Sequence, residues 1–206
     1  QRHPQVGILQ SSPRLLTAQS LFARIQQFAN QLYGPLFTTG LAAVQLGEAA
    51  FWGHNAILRI RPFMQHCGLR RLPGWGLFKG SVLSHDFVEA ALLRRGGWAV
   101  RMAAHLDGSY EEAPPSLPDM AVRDRRWCQG NLQHAAVLPA RGLHWVSRLH
   151  LARGILAYAT SPLWLGFLIL GGMVWASQRD ALAAASSSAL ALFAVTMVML
   201  MAPKAM

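Results

Sequence analysis

An α/β region followed by an all-α transmembrane hairpin is the fold class this sequence predicts, and three observations predict it. Short apolar runs with strand character alternate with one-sided helical stretches up to residue 131. All but two of the Lys and Arg, and all but one of the Asp and Glu, lie before residue 154. Beyond that point stand two charge-free apolar segments, 154–176 and 181–202, each longer than the roughly 20 residues that cross a bilayer core. Three regions follow: residues 1–131, an amphipathic interface segment over 132–153, and two membrane helices within 154–206.

Residues 6–9 are an apolar run closed by Gln10, Ser11, Ser12 and Pro13, the pattern of a buried strand entering a loop. Leu21, Phe22, Ile25, Phe28, Ala29 and Leu32 recur at helical spacing, and Gly34-Pro35 predicts the stop. The Gly-punctuated stretch from 34 to 53 reads as a connector or as a mobile loop near a site. Gly53 and Asn55 permit left-handed backbone, and residues 56–61 read as a strand edge turning into a short helix.

Residues 86–95 predict a helix, with Asp86 and Glu89 at capping-box spacing and Gly96 past its end. Trp98, Val100 and Met102 alternate with Ala99 and Arg101, which predicts a strand. A Pro-rich loop over 111–118 precedes a helix that begins near Asp119 and carries Arg126 and Trp127. Residues 132–151 mix apolar residues with His134, Arg141, His144, Arg148 and His150, a composition that suits a helix lying along lipid or a buried core helix. In the membrane region Pro162 predicts a kink in the first span, and residues 177–180 predict a tight turn into the second. Three serines at 186–188 move the core of that second span towards Leu190, and the chain reads as an internal piece of a longer protein.

A formal net charge of +10 admits nucleic acid, anionic lipid or a phosphorylated substrate. Its placement selects among them. Arg123, Arg125, Arg126, Arg141, Arg148 and Arg153 precede the first span with only Asp124 against them, so the lipid bilayer or a phosphate is favoured and no nucleic-acid partner is expected. The positive-inside tendency puts this face in the cytoplasm. Cys67 and Cys128 belong to no metal or disulfide spacing, and no metal ligands are expected within this chain.

Asp86 at a helix start can cap the helix or accept a proton, and the roles are compatible, because free amides there favour the ionised carboxylate. His85 is a polar loop residue or a substrate-orienting one. Arg126 and Trp127 join a permanent cation, suited to phosphate, to an indole face suited to a sugar ring; amphipathic packing is the plain alternative. Arg123 is solvated or lipid-facing, and Asn55 beside His54 either meets a substrate hydroxyl or caps its loop. Glu111 and Glu112 read as surface residues.

Ser84-His85-Asp86 and RDRRW at 123–127, followed directly by membrane spans, resemble the processive family 2 glycosyltransferases of the cellulose-synthase type. The strings ILQSSP at 8–13, QQFANQLYGPLFTTGL at 26–41, FWGHNAILRI at 51–60, LSHDFVEAALLRRGGW at 83–98, GSYEEAPPSLPDM at 108–120 and RRWCQGNL at 125–132 resemble, within it, the bacterial glucans biosynthesis glucosyltransferase H family. The resemblance implies the C-terminal part of a GT-A domain that makes osmoregulated periplasmic glucans, with a β-1,2-linked backbone, from UDP-glucose at the inner membrane. It implies Asp86 as general base, and Arg126 and Trp127 as contacts to the donor pyrophosphate and the acceptor sugar of the growing glucan. Only the Asp of the family's T-E-D motif is kept, and Arg123 stands at the Gln of Q-x-x-R-W. Mg²⁺ or another divalent cation is implied through a D-x-D motif that this sequence lacks, so its ligands are expected upstream. A periplasmic glucan-modifying protein and an acyl carrier protein are implied as partners. The rival class is a non-catalytic membrane scaffold or lipid-binding module.

Overall fold

The structure is a computed structural model and describes residues 3–46, 48–177, 189 and 191–195. The chain divides into two units, Gln1–Ala159 and Thr160–Met206. The first unit has mixed α/β content, as the strand and helix signals predict. Strand β1 (Val6–Ser11) lies at the centre of a three-stranded sheet, antiparallel to β3 (Ala56–Leu58) and parallel to β4 (Ala99–Ala103). A separate parallel pair joins β2 (Arg14–Leu16) to β5 (Tyr110–Glu112), so the stretch expected as a Pro-rich loop over 111–118 begins in a strand.

Helix α1 (Leu21–Val44) starts where Ser20 caps the amide of Ala23, and it runs straight through Gly34-Pro35 rather than stopping there. Proline removes one backbone donor, a local loss that need not end a helix. Around it the Thr38 and Thr39 hydroxyls donate to the carbonyls of Gly34 and Pro35 at 2.8 Å each, binding the turn from its side chains. The stretch expected as a connector is therefore helical to Val44. Helix α2 (Ile60–His66) follows β3 as predicted.

Helix α3 (His85–Arg95) is the spine of the unit, with every residue from Val88 to Leu93 buried. One face packs with Ile8, Phe51 and Val100 around Ala90 and Leu93, and the other with Val82, Leu143 and Leu151 around Val88, Ala91 and Leu92. Each fully buried aliphatic side chain contributes about 1.5–3 kcal/mol, so these two clusters fix the helix in place. The predicted capping box does not form. Ser84 is the N-cap, Asp86 stands in the first turn, and Glu89 bonds His85 instead.

Helix α4 (Leu117–Val137) begins at Ser116, whose hydroxyl accepts from the Asp119 amide, and it carries the Arg-Trp pair in its first half. Its second half crosses the loop before α3 so closely that a Cβ at Gly130 would lie 2.5 Å from the Ser84 backbone nitrogen. The segment 132–153 is not one helix lying on a surface. Helix α4 ends at Val137, α5 (Trp145–Ser177) begins after a turn, and His134 and Leu151 are fully buried.

In α5, Trp145–Trp175 is long and apolar enough to cross a membrane, with mean hydropathy 1.5 and none of its most apolar window buried. It continues through Pro162 as one helix. The turn expected at 177–180 and the span expected at 181–202 fall outside the described residues, apart from 177, 189 and 191–195, which are helical.

Two glycines on helices give opposite expectations. Gly130→Ala drives a methyl group into the Ser84 backbone and should cost about 1–3 kcal/mol, lowering the melting temperature by roughly 2–4 °C per kcal/mol. Gly40→Ala meets nothing within 4 Å and should stabilise α1 by up to about 1 kcal/mol. Thermal unfolding of the two variants checks both signs; an unchanged melting point for Gly130→Ala contradicts the close crossing.

Candidate functional site

A cavity of about 620 Å³ opens in the first unit where the mouth of α3 faces α4, and Asp86, His85, Arg123, Arg126 and Trp127 all line it. The fold brings together residues that the sequence keeps far apart. Asp86 is half-buried in the first turn of α3, and burial raises its carboxyl above the ordinary value of 3.8. His85, the backbone amides of Asp86 and Phe87, and His134 pull in the other direction, and burial prevails. Gly53, at φ +82°, passes beside this carboxylate: a Cβ there would lie 3.5 Å from Asp86 Oδ2. Glycine serves here for its backbone angle, since a Cβ at that distance would make an ordinary contact.

His85 opens α3 with its imidazole exposed, and Nδ1 lies 3.0 Å from Glu89 Oε1 one turn on. Glu89 is buried, and burial raises its carboxyl, opposed by the charge and hydrogen bond of His85. The pair holds the imidazole ring at the cavity rim beside Asp86.

Arg123 and Trp127 stand one turn apart on α4, and the Arg123 guanidinium lies 4.4 Å from the centroid of the indole. Arg123 is thus engaged as a cation on the Trp127 face at the cavity wall. Such stacking contributes about 0.5–1 kcal/mol at an exposed site. Arg126 lies exposed on the same wall. One wall of the cavity therefore offers a cation and a flat aromatic, and the other a carboxylate at a helix N-terminus. That is a suitable set for an anionic group joined to a ring with hydroxyls.

Asn55 is placed differently. It takes φ 52°, and its amide donates to Ser109 Oγ at 2.8 Å and to the Tyr110 carbonyl at 3.0 Å, while Oδ1 meets His54 Nδ1 at 2.8 Å. Its side chain locks the loop after Trp52 to the start of β5 and is not part of the cavity wall. Its neighbour His54 does line the cavity, with Glu111 Oε2 3.3 Å from Nδ1. Glu111, expected at the surface, is half-buried and lines the cavity as well, while Glu112 is exposed and accepts from the Thr17 hydroxyl at 2.7 Å. Trp52, Asn131 and, from α1, Phe37 and Thr38 also line the cavity without any sequence signal of their own.

Cys67 and Cys128 are free thiols, and burial pushes Cys67 up to about 11, which leaves it protonated and inert. Among the described residues no group of three His, Cys, Asp or Glu is placed to hold a metal ion. These residues therefore do not fit a divalent cation.

The position of Asp86 has a consequence for stability. Its folded-state value lies above the unfolded one, so its contribution is complete below about pH 4 and is lost as pH rises through the folded value. Asp86→Asn should therefore melt higher than the wild type at pH 7, with the gap closing towards pH 4. Thermal unfolding of purified protein across that range reads it, and equal melting points at pH 7 contradict the burial of a charge.

Comparison with known proteins agrees with this geometry. The family model described as "Glycosyl transferase family group 2" matches residues 2–203. The chain is similar to the glucans biosynthesis glucosyltransferase H of Rhodopseudomonas palustris (strain BisA53), 59% identical over 174 residues, covering 84% of this chain and 24% of that protein. It is also similar to the proteins of that name from Shewanella oneidensis, 51% identical over 220 aligned positions, and Vibrio cholerae serotype O1, 50% identical over 220. These two alignments cover 99% of this chain and 30% of each relative. The chain thus spans about a quarter to a third of the length of the curated relatives it matches. No solved structure matches it. With a model matched along nearly all its length and a cavity that sets a carboxylate against an Arg-Trp pair, the chain belongs to glycosyl transferase family group 2.

Proposed function

We propose that this chain, within a polypeptide of its relatives' length, forms part of a membrane-bound inverting glucosyltransferase that extends a β-1,2-linked glucan from UDP-glucose for osmoregulated periplasmic glucan synthesis. The observation that carries the reading is the shared cavity of Asp86, Arg126 and Trp127. In the proposed reaction a hydroxyl of the acceptor glucan attacks the anomeric carbon of the donor glucose. Asp86 takes the hydroxyl proton, a new C–O bond forms, and the bond to UDP breaks with its electron pair leaving on the diphosphate. An α-linked donor then gives a β linkage.

Each residue has a physical reason for its part. Burial raises the Asp86 carboxyl, and a raised carboxyl is a better proton acceptor than an ordinary Asp. The Arg126 guanidinium offsets the charge that grows on the departing diphosphate. The Trp127 indole, held by Arg123, offers its flat face to the apolar side of the acceptor-end sugar. His85, steadied by Glu89, orients a hydroxyl or phosphate at the rim.

A divalent cation such as Mg²⁺ is part of the proposal for the whole protein, with ligands outside the described residues. The Arg-rich stretch before the membrane helix supports a cytoplasmic site at the bacterial inner membrane. A periplasmic glucan-modifying protein and an acyl carrier protein are proposed as partners on the likeness to the named relatives alone.

Membrane vesicles carrying the full-length protein should incorporate labelled glucose from UDP-glucose into polymer. Asp86→Asn at matched protein level should lower the rate by about 100-fold or more. Near-wild-type transfer by the variant contradicts the base assignment, and no transfer by intact wild type points to the scaffold class or another donor.

A further inference from the structure

Helix α4 carries, two turns beyond the Arg-Trp pair, two polar residues that no part of the proposed chemistry uses: Gln133 and His134, each 0% exposed. Fully buried polar side chains persist where hydrogen bonds satisfy them, and here all those bonds run to one loop. Gln133 Oε1 accepts from the Leu83 amide at 2.9 Å, and Gln133 Nε2 reaches the carbonyls of Lys79 at 3.1 Å and Ser81 at 3.2 Å. His134 Nε2 donates to the Ser84 carbonyl at 3.0 Å, while the ring stands edge-on to Phe87 with centroids 5.9 Å apart. His134 Nδ1 is buried with no hydrogen-bond partner among the described residues, so the Ser84 carbonyl alone sets the orientation of the imidazole through hydrogen bonding.

Ser84 is the N-cap of α3 but makes no side-chain capping bond; the Asp86 carboxylate meets the first-turn amides of Asp86 and Phe87, and the loop before them is held from α4. Residues seven apart lie on the same helix face, which pairs Arg126 with Gln133 and Trp127 with His134 at a rise of about 10 Å. The helix that presents the Arg-Trp pair to the cavity thus also grips the loop that ends in Asp86.

We infer that Gln133 and His134 are positioning residues for glucosyl transfer, setting the carboxylate of Asp86 in register with Arg126 and Trp127 through the loop 79–84. The inference rests on the function proposed above. A neutral donor suits the place, since a cation there would be fully buried and would make the Asp86 carboxylate a weaker proton acceptor. A purely structural part would make their loss lower the amount of folded protein and nothing else. A positioning part predicts loss of turnover with donor binding intact, because donor grip depends on α4 itself and proton removal on the gripped loop.

The test uses vesicles with the full-length protein, UDP-glucose as the varied substrate, and rates per folded molecule. His134→Phe, which removes the donor, should lower kcat by about 100-fold with KM for UDP-glucose unchanged. His134→Gln, which can restore a donor to the Ser84 carbonyl, should recover most of the loss. Gln133→Met should behave as His134→Phe does, and stands in for it if that variant fails to fold. In either deficient variant the Leu83 amide should exchange hydrogen faster than in the wild type. Wild-type kcat in both variants, or a loss that His134→Gln leaves uncorrected, overturns the inference while the function stands. A wild type that transfers no glucose overturns the function and the inference with it.

Discussion

Gly130 lets the backbone of α4 come against Ser84, and beside that contact Gln133 and His134 hydrogen-bond the loop 79–84 from its start to its end. The arrangement of the cavity depends on this crossing. Helix α3 is locked to the sheet by apolar packing on both faces, and helix α4 meets that body at its N-terminal loop. The distance between the carboxylate and the Arg-Trp pair is then a property of two rigid helices and one seam. The price is a set of fully buried polar groups, each of which must keep its partner.

The electrostatics of the seam are a contest between burial and compensation. Asp86 loses water, which raises its carboxyl, and regains part of the loss from helix amides and two nearby histidines. His134 loses water too, which lowers it, against the Ser84 carbonyl and the Asp86 charge, so it remains a neutral donor. The outcome is a carboxylate made more basic without a full positive charge fixed against it. On the opposite wall Arg126 stays exposed, where it can meet an anion, while Arg123 rests on the Trp127 ring.

Much of this was legible in the sequence where the physics is local. The alternation in β4, the apolar run of β1 and the charge-free length of α5 each follow from one segment read alone. The Gly34-Pro35 stop was misread because breaker signals report the loss of one donor, while the neighbouring threonine hydroxyls that bind the turn become visible only in the folded helix. Strands β2 and β5 have three residues each, too few to alternate, and form only as a pair. Asp86, Arg126 and Trp127 were expected at a site through the resemblance, and the fold brings all three to one cavity. Asn55 could not be told from a loop lock without its partners at Ser109 and Tyr110, and Glu111, Trp52, Gln133 and His134 owe their places to contacts distant in sequence. The capping-box spacing of Asp86 and Glu89 was real, but Glu89 found His85 first.

The most direct measurement is a structure of the full-length protein with UDP and a short glucan bound, solved by electron cryo-microscopy in lipid. The account predicts the diphosphate within hydrogen-bond distance of the Arg126 guanidinium, the terminal glucose stacked on Trp127, and its attacking hydroxyl directed at the Asp86 carboxylate. Nucleotide and glucan bound away from this cavity, with Asp86 and Arg126 both facing solvent, would contradict it.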